Sequence, residues 1–204
     1  MVIERIIKSR DKVKLILSDN TSYRISESTL AKYLLFQGKE IDKVHLLELI
    51  EDDLQGDIIS ASIELISRRP RSIYEIKTYI RNKYKDQLLP DFETKIISYL
   101  IEKGYLDDDA FCKWWIDNRN SFRPKSSMEL NKELSDHGID PDTIRASLNK
   151  YYDSDIEKEL LRSLLKKKFN LENISNLPIK EKQRIISYFL RKGYNYDLIK
   201  EELT

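Results

Sequence analysis

Residues 69–80 read Arg69-Pro70-Arg71-Ser72-Ile73-Tyr74-Glu75-Ile76-Lys77-Thr78-Tyr79-Ile80. Their frame returns at a shift of 54 as Arg123-Pro124-Lys125-Ser126, with Glu129, Leu130 and Leu134 in the places of Glu75, Ile76 and Ile80. A second register, shifted by 55, sets Leu134, Gly138, Asp142, Ile144 and Leu148 on Phe189, Gly193, Asp197, Ile199 and Leu203. Self-similarity at a fixed spacing marks a repeat architecture, in which each unit buries its apolar face on a neighbour.

Around these copies the apolar period is helical. Ile58, Ala61, Ser62, Leu65 and Ile66 form one stripe, Ile73, Ile76 and Ile80 a second, and Phe92, Ile96 and Leu100 a third. The pattern resumes through Phe111 and Trp114, Leu130 and Leu134, Ile144 and Leu148, then Ile156 and Leu160, Ile185 and Phe189, Ile199 and Leu203. Nine short helices in sets of three follow, as modules near 54–109, 110–152 and 153–204. Residues 41–53 read as a connecting helix. The expected fold is mainly α, with tandem three-helix repeats forming an elongated curved array.

The amino-terminal 1–40 differ. Val13, Leu15 and Leu17 alternate with Lys12 and Lys14, Tyr23 and Ile25 repeat the alternation after Asp19-Asn20, and Val2 to Ile7 is a third β-branched run. These predict a small antiparallel β meander. Ser26 then stands as the N-cap of a short helix that stops at Gly38.

Composition narrows the function classes. The 204 residues carry 36 Lys or Arg against 35 Asp or Glu, so charge is dense but nearly balanced, which excludes an acidic or basic tail protein. Five glycines leave little room for Gly-rich phosphate loops, and no Gly-x-x-x-x-Gly-Lys or Gly-x-Gly-x-x-Gly segment occurs. One cysteine, Cys112, excludes an internal disulfide framework, and two histidines, His45 and His137, leave few ligands for a transition metal. No cofactor or metal is expected. Met1 to Arg10 lacks the apolar region of a secretion signal, and no stretch approaches the roughly 18 apolar residues of a membrane span. A soluble protein of the reducing cytoplasm, without a membrane partner, is the expectation.

Residues 61–72, Ala61-Ser62-Ile63-Glu64-Leu65-Ile66-Ser67-Arg68-Arg69-Pro70-Arg71-Ser72, with Glu75-Ile76, resemble a signature segment of the RecX family. Gly104-Tyr105-Leu106-Asp107-Asp108-Asp109-Ala110-Phe111, continuing through Trp114-Trp115 and Arg119, resembles a second, and Glu129-Leu130, Leu134 and Gly138-Ile139 a third. The likeness spans about Asp57 to Leu203. It departs after the second helix of the first repeat, where Asn82-Lys83-Tyr84 replaces the usual Lys-Gly. It implies a non-enzymatic bacterial regulator that binds the RecA filament on single-stranded DNA and restrains ATPase and strand exchange, acting on homologous recombination and the SOS response. The family's strand-rich extension occurs in only some members.

Candidate chemical groups are few. Asp107-Asp108-Asp109 with Glu102 nearby is the best candidate for a metal nuclease. A helix start before Phe111 wants the same acids, since carboxylates accept the free N–H groups. Consecutive helical positions also diverge by about 100°, so the three cannot face one ion. His137 before Gly138 reads as a cation at a helix carboxyl end, and Cys112 between Phe111 and Trp114 as a small core residue.

Charge placement is more informative. Between Arg68 and Lys85 seven bases, Arg68, Arg69, Arg71, Lys77, Arg81, Lys83 and Lys85, face the single acid Glu75. Between Lys180 and Lys192, five bases including Lys180, Lys182 and Arg184 face Glu181, and Arg119, Arg123 and Lys125 mark the same place in the middle module. This repeated basic edge is the expected surface for the filament, whose phosphates and acidic faces attract it. Tyr74, Tyr79 and Tyr84, interleaved with those bases, leave open stacking on nucleobases. A free-standing DNA-binding module is the alternative, but near-neutral charge limits it to weak single- or double-stranded binding. One chain with three modules needs no second copy and is expected to be a monomer.

Overall fold

The computed structural model describes residues 1–9, 12–85, 87–169 and 177–203. Three strands, β1 (Ile3–Lys8), β2 (Val13–Leu17) and β3 (Ser22–Ile25), precede ten helices among the described residues: α1 (Glu27–Lys32), α2 (Lys43–Arg68), α3 (Ile73–Tyr84), α4 (Phe92–Glu102), α5 (Asp108–Phe122), α6 (Ser127–Asp136), α7 (Pro141–Tyr151), α8 (Ser154–Phe169), α9 (Ile179–Arg191) and α10 (Tyr196–Glu202). The fold is mainly helical with a small amino-terminal antiparallel sheet, as the periodicities predict. The expected third module includes residues 170–176, which lie outside the described residues. The chain divides into two compact units, residues 1–68 with 80–102, and residues 69–79 with 103–204.

In the first unit the strands run in the order β1-β2-β3. Val13, Leu15 and Leu17 are fully buried while Lys14 and Ile16 are only partly covered, the period-two signature of a sheet with one face on a core. Asn20 at the β2–β3 turn has φ +63°, which an Asn tolerates in the left-handed region. Leu46 and Leu49 of α2 complete the core with Ile25, Leu35 and Ile41. The sequence predicts residues 41–53 and the first helix of the first module as separate elements. They form one helix of 26 residues, because Gly56 keeps helical geometry in open space and nothing there ends the hydrogen-bond ladder. Helix α2 also packs on α4.

Asp53 ties the sheet and α1 to α2. It is 6% exposed; its Oδ1 accepts from the Ser26 amide at 2.8 Å, the Ser26 hydroxyl at 2.7 Å and the Thr29 hydroxyl at 2.7 Å, and its Oδ2 lies 3.3 Å from Lys12 Nζ. Burial pushes its carboxyl upward, but these donors and the Lys12 charge hold it below its ordinary value.

In the second unit α5, α6 and α7 pack together around Phe111, Cys112, Leu134, Ile139 and Ile144, and α8, α9 and α10 around Leu161, Leu165, Ile185, Phe189, Ile199 and Leu203. Ile116, Leu130 and Tyr152 form a further cluster with Leu160. Cys112 is fully buried among these residues, where desolvation raises its thiol to about 11.

Removing the Asp53 carboxylate deletes three hydrogen bonds and leaves the Ser26 amide without its acceptor. Asp53→Ala is expected to lower unfolding stability in urea by about 3 kcal/mol. Because the folded carboxyl titrates below its unfolded value near pH 4, the contribution is present above about pH 4 and lost as pH falls further. The stability difference between wild type and variant should therefore shrink in acid.

Candidate functional site

The sequence repeat becomes a physical joint. Ser72, fully buried, accepts the Glu75 amide on its hydroxyl and donates that hydroxyl to the His137 carbonyl at 2.7 Å. Ser126, the N-cap of α6 and equally buried, accepts the Glu129 amide and donates to the Lys192 carbonyl at 2.6 Å. His137 and Lys192 are the C-caps of α6 and α9. In both places the amino end of one second helix meets the carboxyl end of the next, so partial charges of opposite sign face each other. A hydroxyl with one donor and spare lone pairs satisfies an orphan amide and a carbonyl together.

A second bond reinforces each joint. The Ile73 amide donates to Asp108 at 2.9 Å, and the Ser127 amide donates to Glu157 at 2.8 Å. Gly138 (φ +73°) and Gly193 (φ +82°) follow the two C-caps in the left-handed region. A Cβ on Gly138 would lie 2.2 Å from Tyr74 Cγ, and one on Gly193 would lie 2.9 Å from Met128 Cβ, where Met128 holds the place of Tyr74 in the repeat.

The three aspartates take separate tasks. Asp107 is the N-cap of α5, accepting the Asp109 and Ala110 amides, as expected. Asp108 turns to Ile73; burial raises its carboxyl despite that bond, with Asp107 and Asp140 adding and Lys77 opposing. Asp109 accepts from Tyr151, Lys150 and Ser147, which hold it low. Among the described residues no three ligating side chains are grouped for an ion. Leu106 and Phe111 are buried, Leu130 and Leu134 fully so, and Trp114 is half-buried; Tyr105 is exposed, and Gly104 has φ +73° in open space.

The basic edge is less free than the local charge excess suggests, because several of its bases share carboxylates, some within the same segment and some, Glu93 and Glu133, from further along the chain. Arg69 makes a two-pronged contact with Glu75, Arg71 lies 3.6 Å from the same carboxylate, and Arg69 also stacks 6.0 Å over the Trp114 ring. Burial pushes Glu75 up, but Arg69 and the Ser72 amide hold it low. Arg119 donates to Glu133 at 2.7 Å over the Trp115 ring, Lys125 pairs with Glu129 and Glu133, and Arg81 pairs with Glu93. Lys182 donates to the Leu203 carbonyl. Arg68 pairs with Glu64 while remaining exposed, Lys77 is half-buried, and Arg123, Lys180 and Arg184 are exposed.

His137 corrects another expectation. Its ring packs edge-on against Trp115 at 4.2 Å and Phe111 at 5.4 Å, with Nδ1 3.7 Å from Glu75. Desolvation lowers its pKa, only partly offset by Glu75, so it is neutral near pH 7 and does not cap α6 as a cation. Its backbone N–H performs that task, donating to the Glu133 and Leu134 carbonyls. Sequence reasoning also missed Glu157, Lys168 and Tyr194, which lie outside the 54-residue register; the copy of Gly138 at Gly193 was the signal pointing toward them.

Comparisons with known proteins agree with this geometry. Residues 155–203 match the model of the third three-helix domain of RecX. A regulatory protein RecX of Bacillus subtilis is 26% identical over 94% of this chain and 71% of its own length, and one of Listeria innocua is 24% identical over 95% and 70%. A crystal structure of regulatory protein RecX superposes with TM-score 0.72 at 19% identity, covering 98% of this chain and 97% of the other. RecX from Lactobacillus salivarius gives 0.62 at 19%, covering 73% and 94%.

The joint predicts unequal costs for two glycines of similar φ. Gly104→Ala should cost about 1–2 kcal/mol from left-handed strain alone. Gly138→Ala must also displace Tyr74 and should cost about 1–3 kcal/mol more. Urea midpoints of the two variants check the difference.

Proposed function

The chain belongs to the RecX family of regulatory proteins, and we propose that it binds the RecA filament on single-stranded DNA and restrains the recombinase's ATPase and strand exchange. It does so in the cytoplasm as a monomer without chemistry of its own, modulating homologous recombination and the SOS response. The observation that carries this reading is the repeated joint: Ser72 to His137 and Ser126 to Lys192 align successive second helices end to end. A row of equivalent helices suits a partner that is itself a repeating polymer. Three-helix modules near 54–109, 110–152 and 153–204 supply the repeat.

Linked modules that engage neighbouring protomers gain affinity through effective concentration, without any single strong contact. Bridging opposes the conformational cycle that ATP turnover drives. The exposed bases Arg123, Lys180 and Arg184 supply attraction to phosphates or acidic faces, whereas Arg69, Arg71, Arg119 and Lys125 act mainly within the joints. A net charge of +1 argues against tight binding to DNA alone.

Added below stoichiometry to RecA on single-stranded DNA, the protein is expected to suppress ATP hydrolysis and strand exchange. Reversing Arg123, Lys180 and Arg184 to Glu should weaken the suppression by about tenfold or more while leaving helicity unchanged. Undiminished ATPase with wild-type protein would contradict the proposal. Strong, steeply salt-dependent binding to DNA without recombinase would favour the free-standing DNA-binding module instead.

A further inference from the structure

The two joints share a backbone plan and differ in charge. In the repeat register Arg71 corresponds to Lys125, Glu75 to Glu129, His137 to Lys192, Glu133 to Tyr188 and Ile139 to Tyr194. The register that superposes Asp108 on Glu157 brings Arg119 onto Lys168. At the first joint three cations, Arg69, Arg71 and Arg119, meet two carboxylates, Glu75 and Glu133, with His137 neutral. At the second, Tyr188 replaces a carboxylate and Lys192 a neutral ring. Lys125, Lys168 and Lys192 thus line one pocket with a single carboxylate, Glu129, which lies 3.2 Å from Lys125 and 3.5 Å from Lys192, while Lys125 also lies 3.8 Å from Glu133.

Between them is a cavity of about 130 Å³, lined by these three lysines, Glu129, Tyr188 and Tyr194. Lys168 Nζ sits 3.8 Å above the centre of the Tyr188 ring. Tyr194 is 3% exposed, and its hydroxyl is buried without a hydrogen-bond partner among the described residues. A buried hydroxyl lacking a partner costs free energy that a bound acceptor would restore. Burial, with Glu157 and Glu129 nearby, raises the Tyr194 phenol, so the group stays protonated and able to donate.

We propose that this cavity at the Ser126–Lys192 joint is an oxyanion site that takes one phosphate group of a nucleic-acid strand. Three ammonium groups and a phenol offer more donors than a carboxylate can accept, whereas a phosphate presents an oxygen toward each. The volume admits a single such group. The corresponding place in the first joint is closed to an anion, because Ile139 supplies no donor and Glu133 occupies Arg119. The inference rests on the filament reading for the source of the phosphate, since the strand is the phosphate-bearing component of that complex.

The test uses the full chain with inorganic phosphate as probe, against chloride at equal ionic strength, followed by ³¹P line width and thermal unfolding. Saturable binding with a dissociation constant on the order of 1 mM is expected for wild type. Tyr194→Phe should weaken it about tenfold, as loss of a hydrogen bond to a charged group does. The phenylalanine variant keeps the ring and removes an unpartnered hydroxyl, so it should unfold no earlier than wild type in chloride. Lys168→Gln should weaken binding similarly, and a short oligothymidylate should displace the phosphate.

Absence of saturable binding, or equal binding by both variants, would overturn the site. Failure of the oligonucleotide to compete would overturn its assignment to a strand, as would binding of a glutamate-rich peptide but not phosphate. Phosphate binding by a chain that leaves RecA unaffected would sink the filament reading alone. Filament inhibition without phosphate binding would sink this inference alone.

Discussion

A buried serine hydroxyl that donates to the last carbonyl of a neighbouring helix is the constraint on which the second unit depends. Ser72 and Ser126 are fully buried, and each satisfies two backbone groups that helix termini leave without partners. The bond fixes where α6 ends against the start of α3, and where α9 ends against the start of α6. The glycines that follow the C-caps then have to adopt positive φ beneath Tyr74 and Met128. Short helices that are marginal in isolation are thereby held by their ends as well as by their apolar faces.

Much of this was legible in the sequence. The alternation at Val13, Leu15 and Leu17 located the sheet, and the helical stripes at Ile96 and Leu100 or Ile185 and Phe189 located cores, because periodicity reports burial directly. The 54-residue copy located Ser72 and Ser126. Their partners, His137 and Lys192, were hidden, since the accepting group is a backbone carbonyl that any residue carries. The unbroken α2 was missed because the module bounds set near 54 carry no helix-stop signal of their own, and the internal Gly56 weakens a helix by only about 1 kcal/mol or less.

Charge shows the opposite limit. Counting bases within a segment treated Arg69, Arg71, Arg119 and Lys125 as one exposed edge. In the fold Arg69 and Arg71 share Glu75, Arg119 takes Glu133, and Lys125 takes Glu129 and Glu133, so these bases are held inside the joints. What a repeat conserves in geometry it is free to vary in electrostatics: Glu133 neutralises Arg119 in one copy, and Tyr188 leaves Lys168 over a ring in the other. Such differences between equivalent positions point to specialised surfaces more sharply than total charge does.

The joint is tested most directly by native-state amide exchange on Ser126→Ala. Loss of one buried hydroxyl that serves two backbone groups should lower local protection by about 1–2 kcal/mol, near tenfold in exchange, at Glu129 and in the turn from Lys192 to Tyr194. Amides of the β1–β3 sheet should keep their wild-type rates. Unchanged protection at Glu129 and Tyr194, or uniform loss across the whole chain, would contradict the joint's role.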